Sequence, residues 1–172
     1  MKYLIASDIH GSAYFCRELL RAFKEEKADK LILLGDILYH GPRNDLPKEY
    51  NPKEVIELLN NIKEKILCVR GNCDTEVDQM VLKFPILADY AVLCENGQLI
   101  YLTHGHKEIP NLGENDIVIQ GHTHIPTYES PLNPGSVSIP KEGSHHGYMT
   151  LENSEFLWKD FTGEIKNTLK LY

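Results

Sequence analysis

The first half of the chain alternates between short apolar runs and longer segments in which apolar residues recur every three or four positions. Apolar runs within residues 2–7, 29–36 and 66–72 are typical of buried strands. Residues 12–28 and 51–65 instead have the helical spacing of apolar positions. This order of strand, helix, strand, helix, strand predicts a parallel sheet with crossover helices.

Both predicted helices have a suitable first turn. Ser12 stands where its hydroxyl can cap the first helix, and Pro52 stands in the first turn of the second, where a missing N–H is tolerated. Each of the three strands ends in glycine or polar residues. Because ligands of such sheets bind off the carboxyl ends of the strands, we expect these polar residues to face one crevice.

The second half of the chain predicts antiparallel pairing. An Asn-Gly pair divides residues 89–106 into two strand-like runs, which is the strongest short signal for a hairpin. Residues 147–161 are interpreted as a second hairpin, and residues 164–172 as a closing strand. Residues 115–124 contain one more short strand with a polar end. The whole pattern predicts two packed sheets with helices outside.

Length and composition fit one globular domain spanning residues 1–172. The chain is 42% hydrophobic and 25% charged, close to the average for folded proteins, and it has no apolar stretch of the roughly 18 residues that a spanning helix needs. Asp8 and His10 interrupt the first apolar run, so it predicts a strand and not a signal peptide. We therefore expect a cytoplasmic protein without membrane contacts. The net charge of −7 argues against an extended nucleic-acid surface.

The four cysteines are not expected to form disulfides, because cytoplasmic thiols stay reduced. They contain no C-x-x-C spacing, so a thiolate zinc site is not predicted either. Cys16, Cys68 and Cys94 lie on helix or strand patterns and are expected in the core.

The residues that follow five of the apolar runs belong to a restricted set. They are Asp8-Ile9-His10, Gly35-Asp36, Gly71-Asn72-Cys73-Asp74, His104-Gly105-His106 and Gly121-His122-Thr123-His124. Aspartate, asparagine and histidine are ligands of divalent metals. Any one group is also explained by turn chemistry or by a strand-end hydrogen bond. All five together favour a metal centre.

Spacing and number make this prediction more specific. Residues two apart in an extended strand share a face, so Asp8 with His10, and His122 with His124, are expected to grip a shared site. Glycines beside the polar residues would let the backbone approach an ion or a phosphate. Seven candidate ligands suit two ions that share a carboxylate, which is the usual device for displacement at phosphorus.

In this order, D-x-H, G-D, G-N-x-D, H-G-H and G-H-T-H resemble the motifs of the calcineurin-like metallophosphoesterase superfamily from Asp8 to Ser136. The strings SDIHGS, LGDILYHGPRN, VRGNCDTEVDQM, FPI, LTHGH, GHTHIP and NPGSVSIPK are similar to those of its bacterial YfcE-type phosphodiesterases. The resemblance implies an α/β fold, a four-layer α/β/β/α sandwich of two mixed sheets.

The resemblance also implies a binuclear centre with manganese as the usual ion, although other divalent ions are accepted. One ion would be held by Asp8, His10, Asp36 and His124. The other would be held by Asp36, Asn72, His104 and His122, with Asp36 bridging. The implied reaction is attack of a metal-bridging hydroxide on the phosphorus of a small phosphodiester. His10, Asn72 and Cys73 are predicted catalytic positions.

Two further residues are assigned to the surroundings of this centre. Arg43 is expected to contact substrate phosphate, the alternative being a solvated surface arginine. His106 is expected to orient His104 or to contact substrate.

Cys73 departs from the family pattern, which usually has histidine at this position as a group that protonates or orients the leaving group. Nearby cations are expected to lower the pKa of the thiol and leave no proton to donate, while a neutral thiol would be only a weak donor. The resulting hypothesis is an enzyme that prefers activated aryl diesters. A small packing residue is the alternative role of Cys73.

Three questions about function stay open at this point. The substrate could instead be a phosphomonoester or a nucleotide, and some relatives of this fold are non-catalytic scaffolds. All seven ligand positions are kept here, which favours catalysis. A homo-oligomer is also possible, because residues 148–161 offer an aromatic edge for pairing.

Overall fold

Two mixed β-sheets pack face to face in the computed structural model, which describes residues 1–108 and 112–171. The elements, in chain order, are β1 (Tyr3–Ala6), α1 (Ala13–Glu25), β2 (Lys30–Leu33), α2 (Pro52–Asn60), a short 3-10 helix (Lys63–Lys65), β3 (Ile66–Cys68), α3 (Glu76–Val81), β4 (Tyr90–Glu95), β5 (Gln98–Thr103), β6 (Ile117–Ile119), β7 (Gly147–Glu152), β8 (Glu155–Asp160) and β9 (Ile165–Lys170).

The large sheet has the strand order β3-β2-β1-β7-β8-β9. Its first three strands are parallel, as the alternation with α1 and α2 predicts, and the remaining pairs are antiparallel. The small sheet has the order β4-β5-β6, with one antiparallel and one parallel pair. Both sheets are therefore mixed. Every predicted strand and helix is present, although most are shorter than the patterns suggest.

Alternation along the strands of the large sheet creates two apolar layers. Leu4 and Ala6 on β1 face α1 and α2, where Leu19 and Val55 complete the packing. Ile5 points to the other side, into a layer shared with the small sheet. Since strand side chains alternate between faces, three consecutive apolar residues are enough to place β1 between two cores.

Local chemistry sets the ends of the helices. The hydroxyl of Ser12 accepts a hydrogen bond from the N–H of Phe15, so the predicted cap of α1 is confirmed. The side chain of Asn51 caps α2, and Pro52 occupies its first turn. Thr75 and Asp78 form a capping box on α3, a helix that the apolar pattern did not predict because it exposes Val77.

Two expectations about individual residues need correction. Cys94 is exposed on β4, whereas Cys16 and Cys68 are buried as expected, and all four thiols are free. The aromatic residues of the β7–β8 hairpin are buried, with Phe156 and Trp158 at 0% exposure, so they offer no aromatic edge. The edge strand on that side is β9. Tyr172, the last residue of the predicted closing strand, lies outside the described residues.

In the described ranges every helix precedes β4. The helices α1 and α2 pack on the large sheet, while the outer face of the small sheet exposes Tyr90, Val92 and Leu99. The helical layer expected outside the small sheet is not seen in these ranges. None of the described helices has the length and apolar character needed to cross a membrane.

Candidate metal centre

The polar residues predicted at the strand ends converge on one edge of the two sheets. The loops that follow β1 and β2 are joined by backbone hydrogen bonds, from the N–H of Asp8 to the carbonyl of Gly35 (3.1 Å) and from the N–H of His10 to that of Asp36 (2.9 Å). The loops after β5 and β6 are joined in the same way, from the N–H of Gly121 to the carbonyl of His104 (3.1 Å). Five separate strand ends thus build one cluster.

Five of the seven candidate ligands have left-handed backbone. The φ angles are 61° at Asp8, 49° at His10, 56° at Asp36, 69° at His122 and 63° at His124. This conformation costs on the order of 1–3 kcal/mol for each residue that is not glycine, and such costs concentrate at functional sites. Asp8 and His10 lie side by side as expected. They do not belong to an extended strand, however, because both have left-handed backbone.

His10 and His124 form the first pair of facing imidazoles. Their Nδ1 atoms lie 2.7 Å from the carbonyl of Tyr39 and 2.6 Å from the carbonyl of Ile139. A carbonyl only accepts, so each Nδ1 carries the proton and each Nε2 presents a lone pair when the ring is neutral. The two Nε2 atoms are 3.2 Å apart in a buried position. Such an arrangement requires a cation or a proton between them.

His104 and His122 form the second pair, with Asn72 beside it. The Nδ1 of His104 donates to the carbonyl of Leu34 at 2.7 Å, which directs Nε2 at the cluster. That Nε2 atom lies 3.0 Å from Oδ1 of Asn72 and 3.2 Å from Nδ1 of His122. His122 and His124 thus face different histidines, although both line the same cleft.

Asp36 lies between the two pairs. Its Oδ2 atom is 3.7 Å from Nε2 of His10 and 3.4 Å from Nε2 of His104. Asp8 belongs to the first pair, with Oδ1 at 3.5 Å from His10 and 3.3 Å from His124. A carboxylate between two sets of ligands has the position required of a bridging group.

A second observation indicates that the candidate ligands suit divalent ions. Oδ1 of Asp8 is buried and has no hydrogen-bond partner among the described residues. A buried carboxylate oxygen without a donor is costly, and a bound cation would satisfy it. Two groups of three that include Asp8 bring ligand atoms within 4.8 Å of one another: Asp8 with His10 and His124, and Asp8 with Asp36 and His104.

The carboxylates and imidazoles of the cluster shift the pKa values of Asp8 and His104. Burial opposes ionisation of Asp8, but the neighbouring imidazoles of His10 and His124 outweigh it and hold its pKa well below the usual range. Burial likewise opposes protonation of His104. The carboxylates of Asp36 and Asp8 outweigh that effect and raise its pKa to about 9.

Two glycines permit the close approach of the loops. A Cβ on Gly71 would lie 2.1 Å from Oδ1 of Asp36, and a Cβ on Gly121 would lie 1.9 Å from the hydroxyl of Ser7 and 2.9 Å from Oδ2 of Asp8. No side chain fits at either position without moving a candidate ligand or its neighbour. The role expected for the glycines at the strand ends is met at these two positions.

Asp74 holds the loops after β2 and β3 together. Its carboxylate accepts hydrogen bonds from the backbone N–H groups of Asp36 (2.8 Å), Ile37 (2.9 Å) and Gly71 (2.7 Å). Burial raises its pKa, which those three donors only partly offset. Asp74 thus shapes the backbone from which Asp36 projects.

Cys73 lies beside Asp36 and is half-buried. Its backbone N–H donates to Oδ1 of Asp36 at 2.8 Å, and Nδ2 of Asn72 lies 3.4 Å from its sulfur. Burial and the carboxylates of Asp36, Asp74 and Asp8 raise the pKa of the thiol to about 12. This direction is opposite to the lowering expected from nearby cations. The chain's own groups therefore keep the thiol protonated.

One cleft opens over the cluster. It is lined by Asp36, Gly41, Pro42, Arg43, Asn44, Asn72, Cys73, His122, His124 and Lys141. Arg43 lies at the cleft, and its contact with substrate phosphate stays a prediction. Lys141 was not singled out by sequence reasoning, although it ends the quoted string NPGSVSIPK.

His106 is close to the candidate ligands but does not line the cleft. Its ring centroid is 5.3 Å from that of His104 and 6.4 Å from that of His122. It borders a neighbouring groove together with Lys107 and Val118. This placement is compatible with orienting His104, and it does not support contact with a substrate in the cleft.

Comparison with known proteins agrees with the fold and the site. The family model of the calcineurin-like phosphoesterase superfamily domain matches residues 1–155. The chain is 47% identical over 162 residues to phosphodiesterase YfcE of Escherichia coli K12, covering 89% of this chain and 88% of that protein. The solved structure of YfcE, described as a phosphoesterase, superposes over the full length of both chains with a TM-score of 0.95 and 42% identity.

More distant structures share the fold alone. An archaeal phosphodiesterase has a TM-score of 0.65 at 22% identity, covering 99% of this chain and 100% of its own. Vps29 of Entamoeba histolytica in complex with Zn²⁺ has a TM-score of 0.57 at 22% identity, covering 91% and 89%. The predicted α/β fold of two mixed sheets is thereby confirmed as that of the metallophosphoesterases. The matched family model, together with the identity to YfcE, shows that the chain belongs to the calcineurin-like phosphoesterase superfamily.

Proposed function

We propose that the protein is a phosphodiesterase that requires two divalent metal ions, most naturally manganese, and hydrolyses a small phosphodiester. The prediction of a phosphoric diester hydrolase is confirmed at the level of the enzyme class by the identity to phosphodiesterase YfcE. The number and identity of the ions, the ligand assignment and the kind of diester are our proposals.

The observation that carries the two-ion proposal is the division of the imidazoles into two facing pairs with Asp36 between them. In our assignment Asp8, His10, Asp36 and His124 hold one ion. Asp36, Asn72, His104 and His122 hold the other. When bound, two divalent ions would activate water as the nucleophile and offset charge on the phosphoryl oxygens.

The chain's own residues support this chemistry by orientation. Backbone carbonyls of Leu34, Tyr39 and Ile139 fix the tautomers of three histidines, so that their Nε2 atoms are directed at the cluster that would hold the ions. Asp74 fixes the backbone that carries Asp36. Donor groups held in place before substrate arrives lose little free energy through reorganisation.

Residues that line the cleft would bind phosphate. They would leave the oxygen of the leaving group without a strong proton donor. Arg43 is available to bind a phosphate oxygen in the cleft. Cys73 occupies the wall beside Asp36, and a thiol is at best a weak hydrogen-bond donor. We therefore expect turnover to be fastest with leaving groups that need no proton, such as nitrophenolates.

Paired substrates test this function. Metal-stripped protein is reloaded with manganese, its metal content is measured, and hydrolysis of bis(4-nitrophenyl) phosphate is compared with that of 4-nitrophenyl phosphate. Two ions per chain and faster cleavage of the diester are expected. Faster cleavage of the monoester would favour a phosphomonoesterase or nucleotidase, and folded protein that binds no metal and cleaves neither substrate would favour a scaffold.

A further inference from the structure

Two cationic side chains from different loops border the cleft. Arg43 lies in the loop between β2 and α2, and Lys141 lies in the loop between β6 and β7. Ninety-seven residues separate them in the chain. The fold therefore brings two residues that are distant in sequence to the same cleft.

Neither cation has a side-chain partner among the described residues. Within residues 1–108 and 112–171, the side chains of Arg43 and Lys141 form no ion pair or hydrogen bond. The other three arginines are paired with glutamates: Arg17 with Glu49 and Glu54, Arg21 with Glu18 and Glu25, and Arg70 with Glu76. The arginine at the cleft is the exception among the described arginines.

The backbone of Lys141 is attached to a candidate metal ligand. Its N–H donates to the carbonyl of His124 at 3.2 Å, while Nδ1 of the same histidine donates to the carbonyl of Ile139 at 2.6 Å. The hydroxyl of Ser144 donates to the carbonyl of Lys141 at 2.7 Å and closes the turn. These hydrogen bonds hold the loop against His124, so the backbone of Lys141 has a fixed position relative to the candidate metal centre.

Charge balance indicates what these cations are for. Two divalent ions would bring four positive charges to a site whose ligands include two carboxylates, Asp8 and Asp36. The excess already suffices for the single negative charge of a simple phosphodiester. Arg43 and Lys141 add two further charges in a chain of net charge −7, and cations that face solvent beside a phosphate site are suited to another phosphate.

We propose that Arg43 and Lys141 form an anion-recognition pair that selects phosphodiesters carrying a second phosphate group. The proposal rests on the phosphodiesterase function above and specifies its substrate class. Lys141 supplies a point charge from a loop fixed to His124, and Arg43 supplies a planar donor that binds phosphate oxygens in pairs.

The test uses two substrates with the same leaving group. Thymidine 5′-(4-nitrophenyl phosphate) and its 3′-phosphorylated derivative differ only by the second phosphate. With manganese, the wild-type protein should prefer the phosphorylated diester by about tenfold in kcat/KM, as a charge-assisted contact predicts. Lys141→Gln should remove most of this preference, and Lys141→Arg should keep it. Lys53→Gln, an equal charge change at an exposed position of α2, should leave it intact.

A binding measurement separates this proposal from the catalytic one. The ratio of the dissociation constants of thymidine 5′-phosphate and thymidine 3′,5′-bisphosphate is measured by calorimetry on metal-free protein, without turnover. A ratio that falls toward one in Lys141→Gln, but not in Lys53→Gln, supports the anion pair even if neither diester is hydrolysed, in which case only the proposed function fails. A wild-type protein without preference in either assay, or an unchanged preference in Lys141→Gln, would overturn the inference.

Discussion

The Nε2 atoms of His10 and His124 face each other at 3.2 Å inside the protein, and each ring donates its other N–H to a backbone carbonyl. Two neutral rings held in this way oppose lone pair to lone pair. A cation between the two Nε2 atoms relieves this repulsion. The backbone carbonyls that fix the two rings therefore favour binding of an ion. These histidines are 114 positions apart in the chain, so only the folded chain has this property.

Replacement of His124 by asparagine should weaken metal binding strongly. We expect manganese affinity to fall by about a hundredfold or more, because a directly bound imidazole is lost where even supporting contacts are worth 10- to 100-fold. Manganese should raise the Tm of the wild-type protein, since an ion that binds only the folded state stabilises it, and this rise should nearly vanish in the variant. Calorimetry and thermal unfolding with and without chelator measure both effects.

His145→Gln is the matched control for that experiment. His145 is a half-buried histidine in the loop before β7 and does not belong to the cluster of candidate ligands. Its variant should bind manganese as the wild-type protein does. Equal losses in both variants would mean that the histidine cluster does not hold the metal.

Asp74→Ala should destabilise the protein through three backbone groups. The N–H groups of Asp36, Ile37 and Gly71 would lose their acceptor in a buried position. Unpaired buried donors cost about 1–3 kcal/mol each, and partial relaxation should leave a total loss of about 2–4 kcal/mol in the free energy of unfolding. Urea unfolding of metal-free protein measures this loss.

Asp74→Asn keeps one carbonyl oxygen and is expected to lose less stability than Asp74→Ala. If both variants unfold like the wild-type protein, Asp74 does not organise the loop. If both lose stability but retain full metal affinity, its influence does not reach Asp36.

The strand ends could be predicted because apolar runs and their polar ends are local features. Asp8, Asp36 and Asn72 each follow a short apolar run, and parallel strands bring their carboxyl ends together. The division of ligands between two pairs was not predictable from periodicity. His122 and His124 have left-handed backbone, which turns them toward different partners. The spacing of residues in a strand does not predict this conformation.

Features that depend on long-range contacts were missed for the same physical reason. Lys141 lies at the cleft because its backbone is bound to His124, and no residue near it in sequence signals that contact. Cys94 has the hydrophobic neighbours of a core residue, but it lies on the outer face of β4 in the small sheet. Whether a sheet face is covered is decided by the elements that pack on it, not by the strand's own residues.

Cys73→His should speed hydrolysis by supplying the proton donor that the thiol does not provide. Imidazole general acids contribute roughly a hundredfold or more when the leaving group needs a proton, and much less when it is a nitrophenolate. We therefore expect a gain of about 10- to 100-fold for poorly activated aryl diesters, with a shallower dependence of rate on leaving-group pKa. Rates for a series of substituted phenyl diesters measure both quantities.

Cys73→Ser separates this explanation from a change of packing, because serine is similar in size to cysteine and supplies no imidazole. It should leave the dependence on the leaving group unchanged. The general-acid explanation fails if Cys73→His leaves every rate unchanged or lowers them all.

Arg43→Ala should raise KM by about fivefold to tenfold for diester substrates that carry a second phosphate group. Arg43 lies at the cleft and has no acidic partner in the described part of the chain, so its guanidinium is free to bind phosphate. Steady-state kinetics at fixed manganese concentration measure the change. Arg21→Ala removes an arginine that is paired on the surface of α1, and its KM should match the wild-type value. An unchanged KM in Arg43→Ala would remove Arg43 from the binding site.

Ionised Asp160 should stabilise the β8–β9 turn, so the free energy of unfolding should depend on pH in the acid range. Its carboxylate accepts hydrogen bonds from the N–H (2.8 Å) and hydroxyl (2.6 Å) of Thr162 and from the N–H of Glu164 (3.2 Å), and it pairs with Lys166 at 2.9 Å. Burial opposes ionisation, but these donors outweigh it and lower its pKa from 3.8 to about 2. A carboxyl with a lowered pKa in the folded state stabilises the fold above pH 3.8, and this contribution is lost as the pH falls through 2.

The expected difference between the wild-type protein and Asp160→Asn is thus largest near pH 5 and small at pH 2. We expect it to fall from about 1–2 kcal/mol to a few tenths, since the variant never carries the charge. Urea unfolding of metal-free protein at both pH values measures the difference and keeps metal release out of the comparison. Asp45→Asn removes an exposed carboxylate that accepts no hydrogen bond within the described ranges, so its difference should stay near zero at both pH values. A constant difference for Asp160→Asn would show that the charge of Asp160 does not stabilise the turn.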